Sequence, residues 1–145
     1  MMSRSKPWDS YRKVATQTAT PGQLVLMLYD GALKFMEKAL TGFDYKDPRL
    51  FNETINNNIL RAQAIIHEMN ASLDMKAGGE VAANFRRLYN YFYRRLTEAN
   101  HTKQKAPLQE VLSHVRNLRD SWAEMLRRGG DPDPAALSNL TAAAA

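Results

Sequence analysis

The chain of 145 residues contains no cysteine, which excludes disulfide bonds, thiolate zinc sites and cysteine nucleophiles. No stretch approaches the ~18 uninterrupted apolar residues that a membrane-spanning helix needs. Residues 1–15 carry no apolar run of the kind found in secretory signals, so we expect no signal peptide. These absences favour a protein of the cytosol that does not insert into membranes.

The residues for catalysis or metal binding are equally sparse. A di-metal site in a helical bundle needs two Glu-x-x-His motifs and inward glutamates on other helices, and this chain offers one such motif, Glu98 to His101. No serine lies in a Gly-x-Ser-x-Gly turn, and the glycines do not form a phosphate-binding loop. We therefore predict no metal site, no cofactor and no enzymatic activity.

Positive charge is in modest excess. Lysine and arginine number 20 against 15 aspartates and glutamates, a net charge of +5. Arginines occur in pairs such as Arg86–Arg87 and Arg94–Arg95, but no run of five like charges occurs. This distribution favours solvated helix faces, with an acidic partner or nucleic acid as the alternative.

A helix begins at Thr20-Pro21-Gly22-Gln23. Threonine at the cap, proline in the first helical position and glutamine three residues after the cap match a capping box. We predict that this helix ends near Gly42 with a glycine stop. Its apolar stripe consists of Leu24, Leu28, Ala32, Phe35 and Ala39.

Three further helices follow from the same signals. Helix 2 opens at Asp47-Pro48 and ends at residues 74–79. Helix 3 runs from about residue 80 to residue 100, residues 101–107 form a polar loop, and helix 4 runs from about residue 108 to residue 127. Their apolar stripes, in order, are Phe51, Ile55, Ile59, Ala62, Ile66, Met69 and Leu73; Val81, Phe85, Leu88, Phe92, Leu96 and Ala99; and Leu108, Val111, Leu112, Val115, Leu118, Trp122 and Met125.

Four amphipathic helices joined by short loops predict an all-α, up-down antiparallel four-helix bundle. We assign the bundle to residues 20–128. Residues 1–19 are predicted to be an N-terminal flap, and residues 129–145 a mobile C-terminal tail.

Helix 1 is more apolar than one buried face requires. Leu24 and Leu28 fill the inward stripe, so Val25, Leu26 and Leu33 need another cover. Flanking helices supply that cover in one interpretation, and a groove for a partner helix uses it in the other. A flap anchored by Trp8, Tyr11 and Val14 would protect such a groove from aggregation.

Asp30 stands in the middle of helix 1, where aspartate is a poor helix former. It either caps a neighbouring helix or pairs with an arginine, or it faces a ligand.

A mixture of aromatic and basic residues in helix 3 offers an alternative function. Binders of single-stranded nucleic acid combine stacking side chains with cations. A basic helical bundle would do so here through Tyr89, Tyr91, Tyr93, Arg94 and Arg95. Against this, Leu88 and Phe92 fit the core stripe, and tyrosines at its border hydrogen-bond through their tips.

An ordered set of motifs runs through the chain. It opens with Tyr11-x-x-Val14 and Thr20-Pro21-x-Gln23-Leu24-x-Leu26-Met27-Leu28-Tyr29-Asp30-Gly31-Ala32, and further matches occur within 62–69, 72–74, 78–84, 88–91, 95–100 and 110–122. The set resembles the flagellar secretion chaperone (FliS) family, the cytosolic chaperones of flagellin. The tail from Gly129 is not part of the pattern.

The resemblance implies a function. Members bind the disordered C-terminal helical region of flagellin through a hydrophobic groove, block its premature polymerisation in the cytosol and keep it ready for flagellar type III export. In the family the N-terminal segment lies over part of the binding surface and gives way to flagellin, a role that carries over to Tyr11 and Val14. The export apparatus is a further candidate partner, and the free protein is expected to be a monomer or a weak homodimer.

The resemblance together with the apolar excess of helix 1 yields a predicted flagellin-binding surface. Asp30 acts in this surface as a polar orienting residue. The other residues of the surface are Tyr11, Val14, Val25, Leu26, Tyr29, Leu33 and Phe51.

Overall fold

The computed structural model describes residues 20–129 of the chain. Within this range the chain forms no strand and folds into four helices: α1 (Pro21–Gly42), α2 (Pro48–Ala71), α3 (Met75–Thr102) and α4 (Lys105–Arg127). The predicted all-α four-helix fold is confirmed. The predicted flap, residues 1–19, and residues 130–145 of the predicted tail lie outside the described residues.

The predicted starts of the first two helices are confirmed at their caps. The Thr20 hydroxyl accepts from the Gln23 amide at 3.2 Å, and the Gln23 side chain accepts from the Thr20 amide at 3.1 Å. At α2, the Asp47 carboxylate accepts from the backbone amides of Arg49 and Leu50. These bonds satisfy amides that have no partner inside the helix, which is why the two helices begin where they do.

The first helix ends as predicted at Gly42, but not by a left-handed glycine cap. Gly42 is helical, and the cap residue Phe43 has right-handed angles of φ −67° and ψ −17°. Gly42 is required for another reason: a Cβ there would lie 2.9 Å from Ile55 Cγ1 and 3.0 Å from Thr54 Cβ. The missing side chain allows α1 and α2 to approach closely beside their connection.

Gly42→Ala is therefore expected to lower the free energy of unfolding by about 1–2 kcal/mol, because overpacking outweighs the better helix propensity of alanine. Urea denaturation followed by circular dichroism measures the change. Gly31→Ala is the matched control, since a Cβ there meets only the tip of Ile65 at 3.1 Å. Equal stability of Gly42→Ala and wild type would show that α1 and α2 separate at little cost.

The start of α3 differs from the prediction. Asp74 caps a helical turn that begins at Met75, accepting from the amides of Lys76 and Ala77. The backbone then leaves helical angles at Gly79, with φ +51° and ψ −128°, before the main helix continues. Only glycine adopts such angles without strain, so the predicted break at 74–79 is a capped turn followed by a kink.

The predicted loop of residues 101–107 is also shorter in the structure. Residues 101 and 102 complete α3, and α4 already begins at Lys105. Lys103 adopts left-handed angles, φ +53° and ψ +47°, and turns the chain within two residues. Pro107 lies in the first turn of α4, where its missing amide hydrogen has no helical acceptor to lose.

The four helices pack side by side in chain order, and α4 closes the bundle against α1. Neighbouring helices are antiparallel, as the contacts between α1 and α4 show. Trp122 contacts Gly22 and Arg119 contacts Asp30, so residue numbers fall along α4 as they rise along α1. The predicted stripes form the core, with exceptions at the helix ends. Partly exposed stripe members are Leu24, Phe51, Leu73, Val81, Trp122 and Met125.

Candidate functional site

An apolar pocket of about 260 Å³ opens at one end of the bundle. At this end α1 begins, α2 ends, α3 begins and α4 ends. Two polar residues, Ser72 and Asp74, belong to the connection between α2 and α3. Most other lining side chains are hydrocarbon or aromatic: Val25, Leu28, Tyr29, Met69, Leu73, Val81, Ala82, Phe85, Tyr89 and Trp122.

The kink in α3 forms part of the pocket wall. Gly78, directly before the non-helical Gly79, and Val81, two residues after it, both line the pocket. The backbone of Gly78 is close to the next turn, since a Cβ there would lie 2.6 Å from the Cβ of Ala82. The Gly78 backbone thus forms part of the α3 side of the pocket, next to the kink at Gly79.

Trp122 closes the pocket on the α4 side. Its indole Nε1 donates a hydrogen bond to the carbonyl oxygen of Gly22 at 2.8 Å, and its ring meets Tyr29 edge-on with centroids 6.4 Å apart. A Cβ at Gly22 would lie 2.6 Å from Leu126 Cδ2, so α4 packs directly on the backbone of α1. The last turns of α4 are therefore held to the first turn of α1 beside the pocket.

Two buried tyrosines meet at the pocket from α1 and α3. The hydroxyl oxygens of Tyr29 and Tyr89 are 2.8 Å apart, and the two residues are 2% and 4% exposed. Burial raises the pKa of Tyr29 to about 12 and that of Tyr89 well above its usual value. Both hydroxyls therefore keep their hydrogens at neutral pH.

Asp30 pairs with an arginine, one of the interpretations left open by the sequence. Its carboxylate accepts from Nε of Arg119 at 2.7 Å, which joins α1 to α4 on the outside of the bundle. The hydrogen bond to Asp30 raises the pKa of Arg119. Both side chains are about a third exposed, so this ion pair contributes at most about 1 kcal/mol.

The predicted flagellin-binding residues do not lie on one continuous surface. Val25 and Tyr29 line the pocket, whereas Leu26 is half-buried outside its lining. Leu33 is 8% exposed and belongs to the core. Phe51 packs edge-on against Phe43 at the opposite end of the bundle.

Two members of that predicted surface, Tyr11 and Val14, lie outside the described residues. The distance between the other members follows from helix geometry. Phe51 contacts Phe43, the residue that caps the end of α1. Phe43 follows Val25 by 18 residues, which corresponds to about 27 Å along the helix axis. A client that reaches both Val25 and Phe51 would therefore have to extend along the whole bundle.

The residues of the nucleic-acid alternative are not presented together. Tyr89 is buried, and Tyr91 donates to Glu110 on α4, as Arg95 does through Nε at 2.7 Å. Hydrogen bonds from Tyr91 and Arg95 hold the pKa of the Glu110 carboxyl below its usual value. The hydroxyls of Tyr89 and Tyr91 are thus used in hydrogen bonds within the bundle, as expected for tyrosines at the border of a core stripe, whereas Tyr93 is 44% exposed.

The sequence does not identify several of the pocket residues as binding residues. Val81, Phe85 and Trp122 were placed in core stripes, which is correct for their periodicity. Val81 and Trp122 lie near the ends of the main helices, where a stripe is no longer covered on all sides, and this position is the missed signal. Phe85 is 5% exposed and lines the pocket from the core, so no sequence signal distinguishes it. Leu73 follows the end of α2 and faces the same opening.

Among residues 20–129, no group of three or more histidine, aspartate or glutamate side chains is placed to hold a metal ion. None of the four described helices is long and apolar enough to cross a membrane.

Comparison with known proteins identifies relatives over nearly the whole chain. Residues 4–129 match the family described as Flagellar protein FliS. A flagellar secretion chaperone FliS of Bacillus subtilis (strain 168) is 36% identical over 126 residues, covering 87% of this chain and 90% of the relative. Proteins of the same name from Salmonella typhimurium (strain LT2) and Escherichia coli (strain K12) are 32% identical over 111 residues and 30% over 129. They cover 77% and 86% of this chain, and 80% and 93% of themselves.

Proposed function

The chain belongs to the FliS family of flagellar secretion chaperones, and on that premise we propose that it binds the C-terminal helical region of flagellin. One observation carries the proposal, the open apolar pocket at the α1 start and α4 end of the bundle. Apolar side chains of the client enter this pocket and leave water. The chaperone thereby prevents premature polymerisation in the cytosol and keeps flagellin ready for type III export.

The energetics suit a client that orders on binding. Burial of apolar surface contributes about 25 cal/mol per Å², while ordering a disordered segment costs several kcal/mol. The pocket is small, so the client must also contact the outer faces of the bundle. Binding driven by apolar burial depends weakly on salt, in contrast to binding of a nucleic acid.

The N-terminal segment is positioned in the chain to cover the same pocket. Val14 precedes the cap residue Thr20 by six residues, a reach of at most about 20 Å. Val25 lies on the second turn of α1, directly beyond that cap. In the proposal, Tyr11 and Val14 cover the pocket in the free protein and are displaced by flagellin.

Calorimetric titration with a peptide spanning the C-terminal helices of flagellin from the same organism tests this function. We expect tight binding, a negative heat-capacity change and little difference between low and high salt. No binding by folded protein and soluble peptide, or binding that weakens steeply with salt, would contradict the proposal.

Val25→Asp is expected to weaken peptide binding by roughly 30-fold or more, about 2 kcal/mol, because it places a carboxylate in the apolar wall. Unchanged circular dichroism would show that the bundle is intact. Leu50→Asp is the control, since Leu50 is an exposed leucine at the opposite end of the bundle. Equal losses in both variants would show that the effect of Val25→Asp is not specific to the pocket and would contradict the proposed site.

A further inference from the structure

The buried tyrosine pair has one hydrogen more than it uses. Each phenol carries one O–H donor, and the 2.8 Å contact between Tyr29 and Tyr89 uses one of the two. Within residues 20–129, the contact with each other is the one hydrogen bond found for either hydroxyl. One O–H group of the pair is therefore left without an acceptor in the described part of the chain.

The tyrosine pair lies in the wall of the apolar pocket. Both tyrosines line it, whereas the neighbouring cavity between α2 and α3 is lined by Tyr89 and not by Tyr29. The rings come from α1 and α3, which are not neighbours in the bundle, so the pair bridges the core at this point. A donor in such surroundings is poorly compensated by hydrocarbon neighbours.

We propose that the Tyr29–Tyr89 pair is a specificity determinant that selects a client residue with a neutral hydrogen-bond acceptor at its tip. Glutamine, asparagine, threonine or serine fits this description, with its aliphatic part against the pocket wall and its oxygen toward the hydroxyl that has no acceptor among residues 20–129. A carboxylate is disfavoured, because the walls are apolar and Asp74 lies in the lining. A hydrocarbon side chain is disfavoured because it leaves the donor unpaired, the kind of difference on which discrimination between close analogues depends.

This inference rests on the proposed function, since it names what the same pocket selects. The test uses the C-terminal flagellin peptide and a series of it in which each glutamine, asparagine, threonine and serine in turn is replaced by a hydrocarbon residue of similar size. Binding is measured to wild type and to the double variant Tyr29→Phe/Tyr89→Phe. Tyr93→Phe is the control protein, because Tyr93 is 44% exposed and not part of the pocket lining.

We expect one peptide substitution to weaken binding to wild type and to Tyr93→Phe at least tenfold. The same substitution should change binding to the double variant less than twofold, because the hydroxyls that read the acceptor are gone. If the double variant does not fold, Tyr29→Phe and Tyr89→Phe are compared singly, and at least one must lose the discrimination. Denaturation curves verify that each variant is folded.

Two failures are distinguishable. If wild type binds the parent peptide and Val25→Asp does not, but every peptide substitution acts equally on wild type and on the tyrosine variants, the specificity role is wrong and the proposed function stands. If wild type does not bind the peptide, the proposed function fails and the specificity role fails with it.

Discussion

Leu33→Asp is expected to abolish the folded bundle. Leu33 is 8% exposed and belongs to the core cluster formed by all four helices. A carboxylate there loses its hydration and finds no cation within the cluster, so the expected cost is at least about 5 kcal/mol. That is comparable with the whole stability of a typical domain.

The measurement is far-ultraviolet circular dichroism at 25 °C together with urea denaturation. Lys34→Asp is the matched control, because the neighbouring Lys34 is exposed and an aspartate there meets water. The apolar excess of helix 1 instead predicts that Leu33 lies on the flagellin-binding surface. A Leu33→Asp protein with native helicity and no affinity for the peptide would support that placement and contradict the burial argument.

The starts of α1 and α2 could be predicted from the sequence because their determinants are local. Thr20 and Gln23 are three residues apart and satisfy each other's amides, and Asp47 acts on the two residues after Pro48. The apolar stripes are equally local, since a period of 3.6 residues appears in the sequence itself. Most stripe residues in the middle of the helices are indeed buried.

Features that depend on contacts between helices could not be read in this way. The role of Gly42 comes from Ile55 and Thr54 on α2, a contact that no local signal reveals. Pro107 was interpreted as a loop residue, although a proline in the first turn of α4 fits a helix equally well. Asp74 caps a helix as Asp47 does, but no proline follows it, and Gly78 and Gly79 instead predict a break.

In the candidate site, too, local features could be predicted from the sequence and contacts between helices could not. An apolar excess in helix 1 predicted that some residues need another cover, and Val25 does line an open pocket. Whether Leu33 faces that opening or the core is decided by the rotation of α1 in the bundle, which the apolar excess cannot specify. Asp30 needed a partner, but its position beside Arg119 depends on the register of α4.

Trp122→Ala is expected to lower the free energy of unfolding by about 3 kcal/mol, the lower end for a tryptophan truncation, because Trp122 is only partly buried. The variant loses the hydrogen bond to Gly22, the edge contact with Tyr29 and the α4 wall of the pocket. Urea denaturation measures this change. We also expect weaker binding of the flagellin peptide, since the pocket loses one side.

Trp122→Phe separates the two contributions of the indole. It keeps an aromatic ring beside Tyr29 and removes the donor to the Gly22 carbonyl, so the expected loss is about 1 kcal/mol. If Trp122→Ala were as stable as wild type, the contacts of the indole would contribute little to holding the last turns of α4 against the start of α1. Peptide binding by Trp122→Ala at the wild-type level would contradict the role of Trp122 as a wall of the binding pocket.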